Sequence, residues 1–402
     1  MYRCIPFLIL AVSGLPLSAQ TVRGLPAEVP EATSDHHAIA TSIARNAAIQ
    51  EGELVWIHGG SGDVEFMEKL AVAVAALGGQ PLVSLFSDVT MRDWYRDVPE
   101  RFDHMRDDWR WQIHQNADVV FLLSRTDPAT YTGIDPERLR AYGTANSGLW
   151  DVFQERGVRI VWIGNRVDPS EWSARMFGIE QSELDSIYWK GMAADRDRLA
   201  FLGDRFRGIL RDASTVRIQH PNGTDLTVGV TGRRIVVTDG GFSATRGEPD
   251  PSTGLYETWL PGGEVTLGVD PESAEGRLVL ERFFLDGRDI GPTTMTFSGG
   301  RLLTVDSESD VSRLRELTQS ALPMSERLTG LKFGTNPDIT DERILPWMGA
   351  GMVSPTLGNN LVLGGDLDLP YGPVFLTLSG STIHVDDRIV VQDGVFTDEF
   401  LF

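Results

Sequence analysis

The chain has 402 residues, 41% of them hydrophobic and 23% charged, and a net charge of −21 at pH 7. Such an acidic balance repels phosphate backbones and acidic lipid, and no concentrated basic patch offsets it, which argues against a nucleic-acid partner. The length suits two domains and a large core built without disulfide staples.

The opening segment, residues 1–20, reads as a secretory signal peptide. Arg3 supplies a positive flank, an apolar stretch runs from Ile5 to Leu17, and Ser18 and Ala19 are small residues before a cleavage point. The stretch is short for a spanning anchor, and nothing after it reads as a membrane span. A periplasmic or secreted location is expected. Cleavage would remove Cys4, the only cysteine, and the loss of Arg3 would take the charge from −21 to −22.

Residues 21–35 read as a leader, and a helix is expected over 37–50. The apolar run LVWIHGG (54–60) predicts a strand, and 63–77, with Phe66, Leu70 and Val74 four apart, predicts a helix stopped by Gly78 and Gly79. Further strands are expected at 81–87, 117–124 and 158–164, with helical segments over 135–157 and 169–212. Strands alternating with helices imply a parallel sheet with helices on its faces. After residue 210 short strands dominate, at 215–219, 225–230, 234–237, 264–267 and 277–284. A helix near 310–322 follows, then strands at 374–378, 381–385 and 388–391. The predicted fold class is α/β: an N-terminal parallel-sheet α/β domain (21–210) followed by a β-rich α+β domain (211–402).

Read without reference to any family, the candidate sites are sparse. HGGSGD (58–63) follows a strand and precedes a helix but lacks dinucleotide or Walker spacing, and Asp63 suits a helix cap better than a phosphate. The seven histidines form no HExxH pair. His36 and His37 adjoin the leader. His384 and Asp386, alternate residues of one strand, share a face where two side chains can chelate; the competing reading is a strand followed by an Asp386-Asp387 turn. No GxSxG elbow occurs, and Ser354 lacks a glycine frame.

Several segments together resemble the thermophilic-type metallo-aminopeptidases, the aminopeptidase T and S family. They are QEGELVWI (50–57), GIDPER (133–138), SEWSARMFG (170–178), GTDLT (223–227), LPGGEV (260–265), FGTNP (333–337) and TLGNN (356–360). The resemblance implies a C-terminal catalytic domain, a homodimer, and paired metal ions that activate water. The family's ligands are two glutamates, two histidines, a tyrosine and an aspartate. Glu264 matches the first glutamate, and His384 and Asp386 match the last histidine and aspartate. The remaining positions fall at or near Gly330, Ser354 and Leu361. Asp366 and Asp368, with Glu326 and Glu281, are conceivable replacements. Three matching ligands suit one cation rather than a two-metal cluster.

Two functions follow. One is a non-catalytic, exported protein, with no metal or other cofactor, that binds a peptide or small ligand. The other is a metal-dependent aminopeptidase with a reduced site, using Zn, Co or Mn. In the first, Glu264 is structural; in the second, it is a ligand.

Overall fold

The structure, a computed structural model, describes residues 35–123, 130, 133–146, 148–164, 173–174, 178–242, 255–285, 288–319, 324–339, 349–358 and 374–401. Residues 1–34 and the segment holding Asp366 and Asp368 lie outside it.

Asp35 caps helix α1 (His36–Asn46) through its side chain, which accepts from His37 N and Ala38 N. Strand β1 (Leu54–Gly60), helix α2 (Val64–Ala76) and strand β2 (Gln80–Phe86) follow. Helices α3 (Asp88–Asp97) and α4 (Asp108–Asn116) lead to β3 (Val119–Leu123). Helices α5 (Pro136–Ala145) and α6 (Leu149–Arg156) lead to β4 (Arg159–Ile163). Phe66, Met67, Leu70 and Val74 of α2 pack with Val55 and Ile57 of β1 and Phe121 of β3, and α1 adds Ile39 and Ile43. The opposite face of the sheet buries Trp56, Val120 and Ile160 with Phe153 of α6. A helical layer on each face is what a parallel sheet requires.

Two further helices, α7 (Gln181–Met192) and α8 (Arg196–Leu210), precede the antiparallel half. The hairpin β5 (Thr215–His220) and β6 (Thr224–Gly229) is followed by β7 (Ile235–Thr238). The chain then returns to the first sheet. Strand β8 (Tyr256–Leu260) pairs in parallel with β4, giving the order β2-β1-β3-β4-β8. Thus the first sheet takes its fifth strand from beyond residue 211.

The remaining strands are β9 (Glu264–Gly268), β10 (Glu275–Leu280), β11 (Phe284–Leu285), β12 (Arg288–Asp289), β13 (Thr293–Ser298), β14 (Arg301–Ser307), β15 (Leu328–Gly334), β16 (Val353–Leu357), β17 (Val374–Phe375), β18 (Thr382–Val385), β19 (Arg388–Gln392) and β20 (Val395–Phe396). Helix α9 (Ser312–Thr318) lies between β14 and β15, and α10 (Asp398–Leu401) ends the described chain. One antiparallel sheet runs β14-β13-β10-β6-β5-β18-β19-β20, and another β17-β16-β15-β9-β7. They share one core: Val216, Ile218, Ile383 and Val385 from the first, Val265, Leu267, Leu331 and Phe333 from the second, with Phe206 of α8 stacked on Phe333 at 5.1 Å. The expected class, a parallel-sheet α/β half followed by a mostly antiparallel half, is the one observed.

Candidate functional site

The site is built where β8 of the first sheet runs directly into β9. Between them stand Pro261, after a cis Leu260–Pro261 bond, and two glycines. Gly263 has φ +112°, and a Cβ there would lie 2.6 Å from Cβ and 2.8 Å from N of Asn336. Glycine is therefore required twice over, by conformation and by space. Asn336 is fully buried and closes the turn: its amide donates to Gly191 O (3.1 Å) and Gly262 O (2.8 Å). Gly263 N donates to Thr238 O, and Thr335 N to Gly263 O. Asp239, 4% exposed, stands 3.5 Å from Arg196 and accepts from Gly241 N.

This bracing fixes Glu264, the first residue of β9. Val265 and Leu267 enter the shared core, so Glu264 and Thr266 emerge on the other side of the strand. There Glu264 meets a cation of the chain itself. Lys332 of β15 lies opposite Thr266, and its ammonium donates to Glu264 Oε1. The hydroxyl of Thr266 donates to the same oxygen. The side chains of Lys332 and Glu264 are 5% and 9% exposed, and the ammonium sits 5.3 Å from the Phe375 ring centre. No hydrogen bond reaches Glu264 Oε2 among the described residues. Across β15, Ser354 faces Lys332 and shares a 2.9 Å hydrogen bond with Thr377. The face is thus polar and buried, with the Glu264 carboxylate paired to the Lys332 ammonium.

Three expected ligands are not brought together. Ile383 and Val385 point into the shared core, so His384 leaves β18 on the outer side of the eight-stranded sheet, paired in register with Arg217. Glu264 leaves the other sheet on its own outer side, and the apolar core lies between the sheets. Asp386 follows β18 in the two-residue turn and is engaged with the start of β5. It accepts from Thr215 N (2.8 Å), Ser214 N (3.0 Å) and Thr215 Oγ1 (3.2 Å). Among the described residues no group of three His, Cys, Asp or Glu could hold a metal ion. A divalent cation beside Lys332 would also meet repulsion on the order of 8 kcal/mol at about 4 Å and an effective dielectric of about 20. The described residues therefore do not fit the metal centre the resemblance implies. Glu326 bonds Arg301 (3.0 Å), and Ser354 contributes only hydroxyl chemistry.

Lys332 escaped the sequence reading, and Asn336, inside the quoted FGTNP, was given no role in it. A lone lysine inside the apolar run LTGLKFG was the available signal, since an unpaired cation is rarely buried. In the turn after β1, Gly60 N donates to the Asp63 carboxylate at 3.2 Å.

No family model and no curated protein sequence matches the chain. Solved structures resemble it, two of them over most of their length. Wild-type AmpT from Thermus thermophilus has a TM-score of 0.61 at 16% identity, covering 90% of this chain and 100% of that one. A 2,5-dihydroxypyridine dioxygenase from Pseudomonas putida has a TM-score of 0.60 at 13% identity, covering 90% and 97%. The likeness is one of fold over most of both chains. Because AmpT and the dioxygenase share it about equally, it does not select a family or a chemistry.

Proposed function

We propose that the chain is an exported, non-hydrolytic binding protein on an aminopeptidase-type fold, taking a peptide or small ligand beside Glu264. One observation carries the reading: the Lys332 ammonium stands at the Glu264 carboxylate, where a metal enzyme would hold its cation. A buried carboxylate with an internal counter-ion needs no metal for neutrality. Glu264 Oε2, which no donor reaches among the described residues, is the atom offered to a hydrogen bond from a ligand.

The test uses mature protein recovered from periplasm or medium without chelators. Its N-terminus, read by mass spectrometry, is expected near Gln20. Elemental analysis is expected to find no stoichiometric metal, and aminoacyl fluorogenic substrates are expected to stay intact after Zn, Co or Mn is added. Peptides retained from a mixed library are expected to be lost in Glu264→Gln. One or two metals per chain, with hydrolysis abolished in Glu264→Gln, would establish the metal-dependent aminopeptidase instead. An unprocessed N-terminus would remove export. A chain that retains no peptide or small molecule would remove the binding role.

A further inference from the structure

The Trp56 face of the first sheet carries a polar cluster that the function proposed above does not use. Trp56 stands between two histidines of different elements: its ring centre lies 5.0 Å from that of His58 in β1 and 5.2 Å from that of His114 in α4. His114 stacks on Phe153 at 4.1 Å and donates through Nδ1 to Arg110 O at 2.9 Å. Arg110, one turn earlier, shares its face of α4. Just beyond α4, Asp118 N donates to Leu54 O at the start of β1, and His114 reaches Trp56 two residues along that strand. Arg110 therefore lies further toward the carboxyl end of β1, where His58 stands. Burial first, and then the Arg110 charge, disfavours protonation of both rings.

Two donors of this cluster lack acceptors among the described residues. Ser84 Oγ accepts from Trp56 Nε1 at 2.7 Å, so its own proton goes to His58 Nδ1 at 2.8 Å. The neutral His58 ring then carries its proton on Nε2. Arg110 Nε is buried with no hydrogen-bond partner. The Asp107 carboxylate stands 3.9 Å from it, beyond a hydrogen bond, and is taken by the Tyr142 hydroxyl at 2.6 Å. A buried guanidinium N–H without an acceptor is costly and rarely left so. We propose that Arg110 and the His58 Nε2–H form a binding site for the oxyanion of a small molecule, a carboxylate or phosphate group. The guanidinium supplies charge and a planar fork, and the imidazole a second N–H. Topology agrees: β2 and β3 lie on opposite sides of β1, and open parallel sheets take ligands at the carboxyl end of the strand where the winding reverses. The net charge of −21 repels polyanions, so the ligand is small. Phe86, with its ring centre 5.4 Å from that of His58, offers an apolar wall to the rest of it.

Calorimetric titration of the purified protein with inorganic phosphate and with benzoate, at constant ionic strength, is expected to show saturable binding of at least one; the tighter identifies the class of oxyanion. Arg110→Gln is expected to weaken it roughly ten- to a hundredfold, and Arg110→Lys, which keeps the charge without the fork, by less. The His58 Nε2 resonance in long-range proton–nitrogen spectra is expected to move along the same titration. No binding of either anion below roughly 10 mM, binding that Arg110→Gln leaves unchanged, or an unmoved His58 resonance overturns the proposal. If Arg110→Gln fails to fold, the His58 resonance of the wild type decides alone.

Discussion

His58 lies on the Trp56 side of β1, with its Nδ1 2.8 Å from Ser84 Oγ, which also accepts from Trp56 Nε1 at 2.7 Å. Accepting from the indole leaves the Ser84 hydroxyl proton available to a neutral imidazole. Burial first, then the Arg110 charge, holds the ring down from 6.5 to about 4. Above pH 6.5 neither folded nor unfolded chain protonates, and the stability is fully present. Between 6.5 and about 4 the unfolded chain takes up a proton that the folded chain refuses, so stability falls as pH falls. The slope is about 1.4 kcal/mol per pH unit, roughly 3 kcal/mol over that window. Urea unfolding from pH 7 to pH 4 is expected to show His58→Gln losing about 2–3 kcal/mol less than wild type. Parallel losses in the two proteins would contradict this. At this same scale Glu264 drew notice through the resemblance of LPGGEV to a loop of the aminopeptidase family. Lys332 drew none: it lies far along the chain, and only the β9–β15 register brings it to Glu264.

At the scale of the element, the turn before β9 concentrates the constraints. Gly263→Ala must adopt φ +112° and displace Asn336, whose amide holds two buried carbonyls. It is expected to cost about 3 kcal/mol or more, through backbone strain plus overpacking. Gly52, at φ +86° with nothing within 4 Å of an added Cβ, isolates the backbone term. Gly52→Ala is expected to cost about 1–2 kcal/mol. Equal losses of melting temperature in the two variants would show that the Asn336 contact is not limiting. Helices α3 and α4 were missed in the sequence because they bury little. Tyr95 is the buried residue of α3 and His114 that of α4, so neither shows an apolar stripe. By contrast β1 was bounded correctly, since its apolar run ends in glycines, and α2 within a residue at each end. The short strands β15 and β16 alternate around a lysine, a serine and glycines, and only tertiary pairing makes them strands.

At the scale of the molecule, the two-part class was legible because hydrophobic period and turn density change near residue 210. The return of β8 was not, for a five-residue strand carries no mark of which sheet it joins. Residues 34–402 form one compact unit. The β8–β9 connection and the hydrogen bonds from Asn336 to Gly191 and Gly262 tie its halves through buried groups. Calorimetry of residues 34–402 is expected to show one cooperative transition, with calorimetric and van't Hoff enthalpies equal. A fragment ending at residue 212, lacking β8, is expected to stay largely unfolded. Two resolved transitions, or a stable fragment, would show the halves to be independent.

The late arrival of β8 also sets an order of events during synthesis. From the time residue 163 emerges until residue 260 follows, β4 has no neighbour on its outer side. Among the described strands the nascent sheet is then open at both edges, at β2 and at β4. Unpaired strands recruit other chains as readily as their own. That interval is when the growing polypeptide most needs to be kept away from its neighbours.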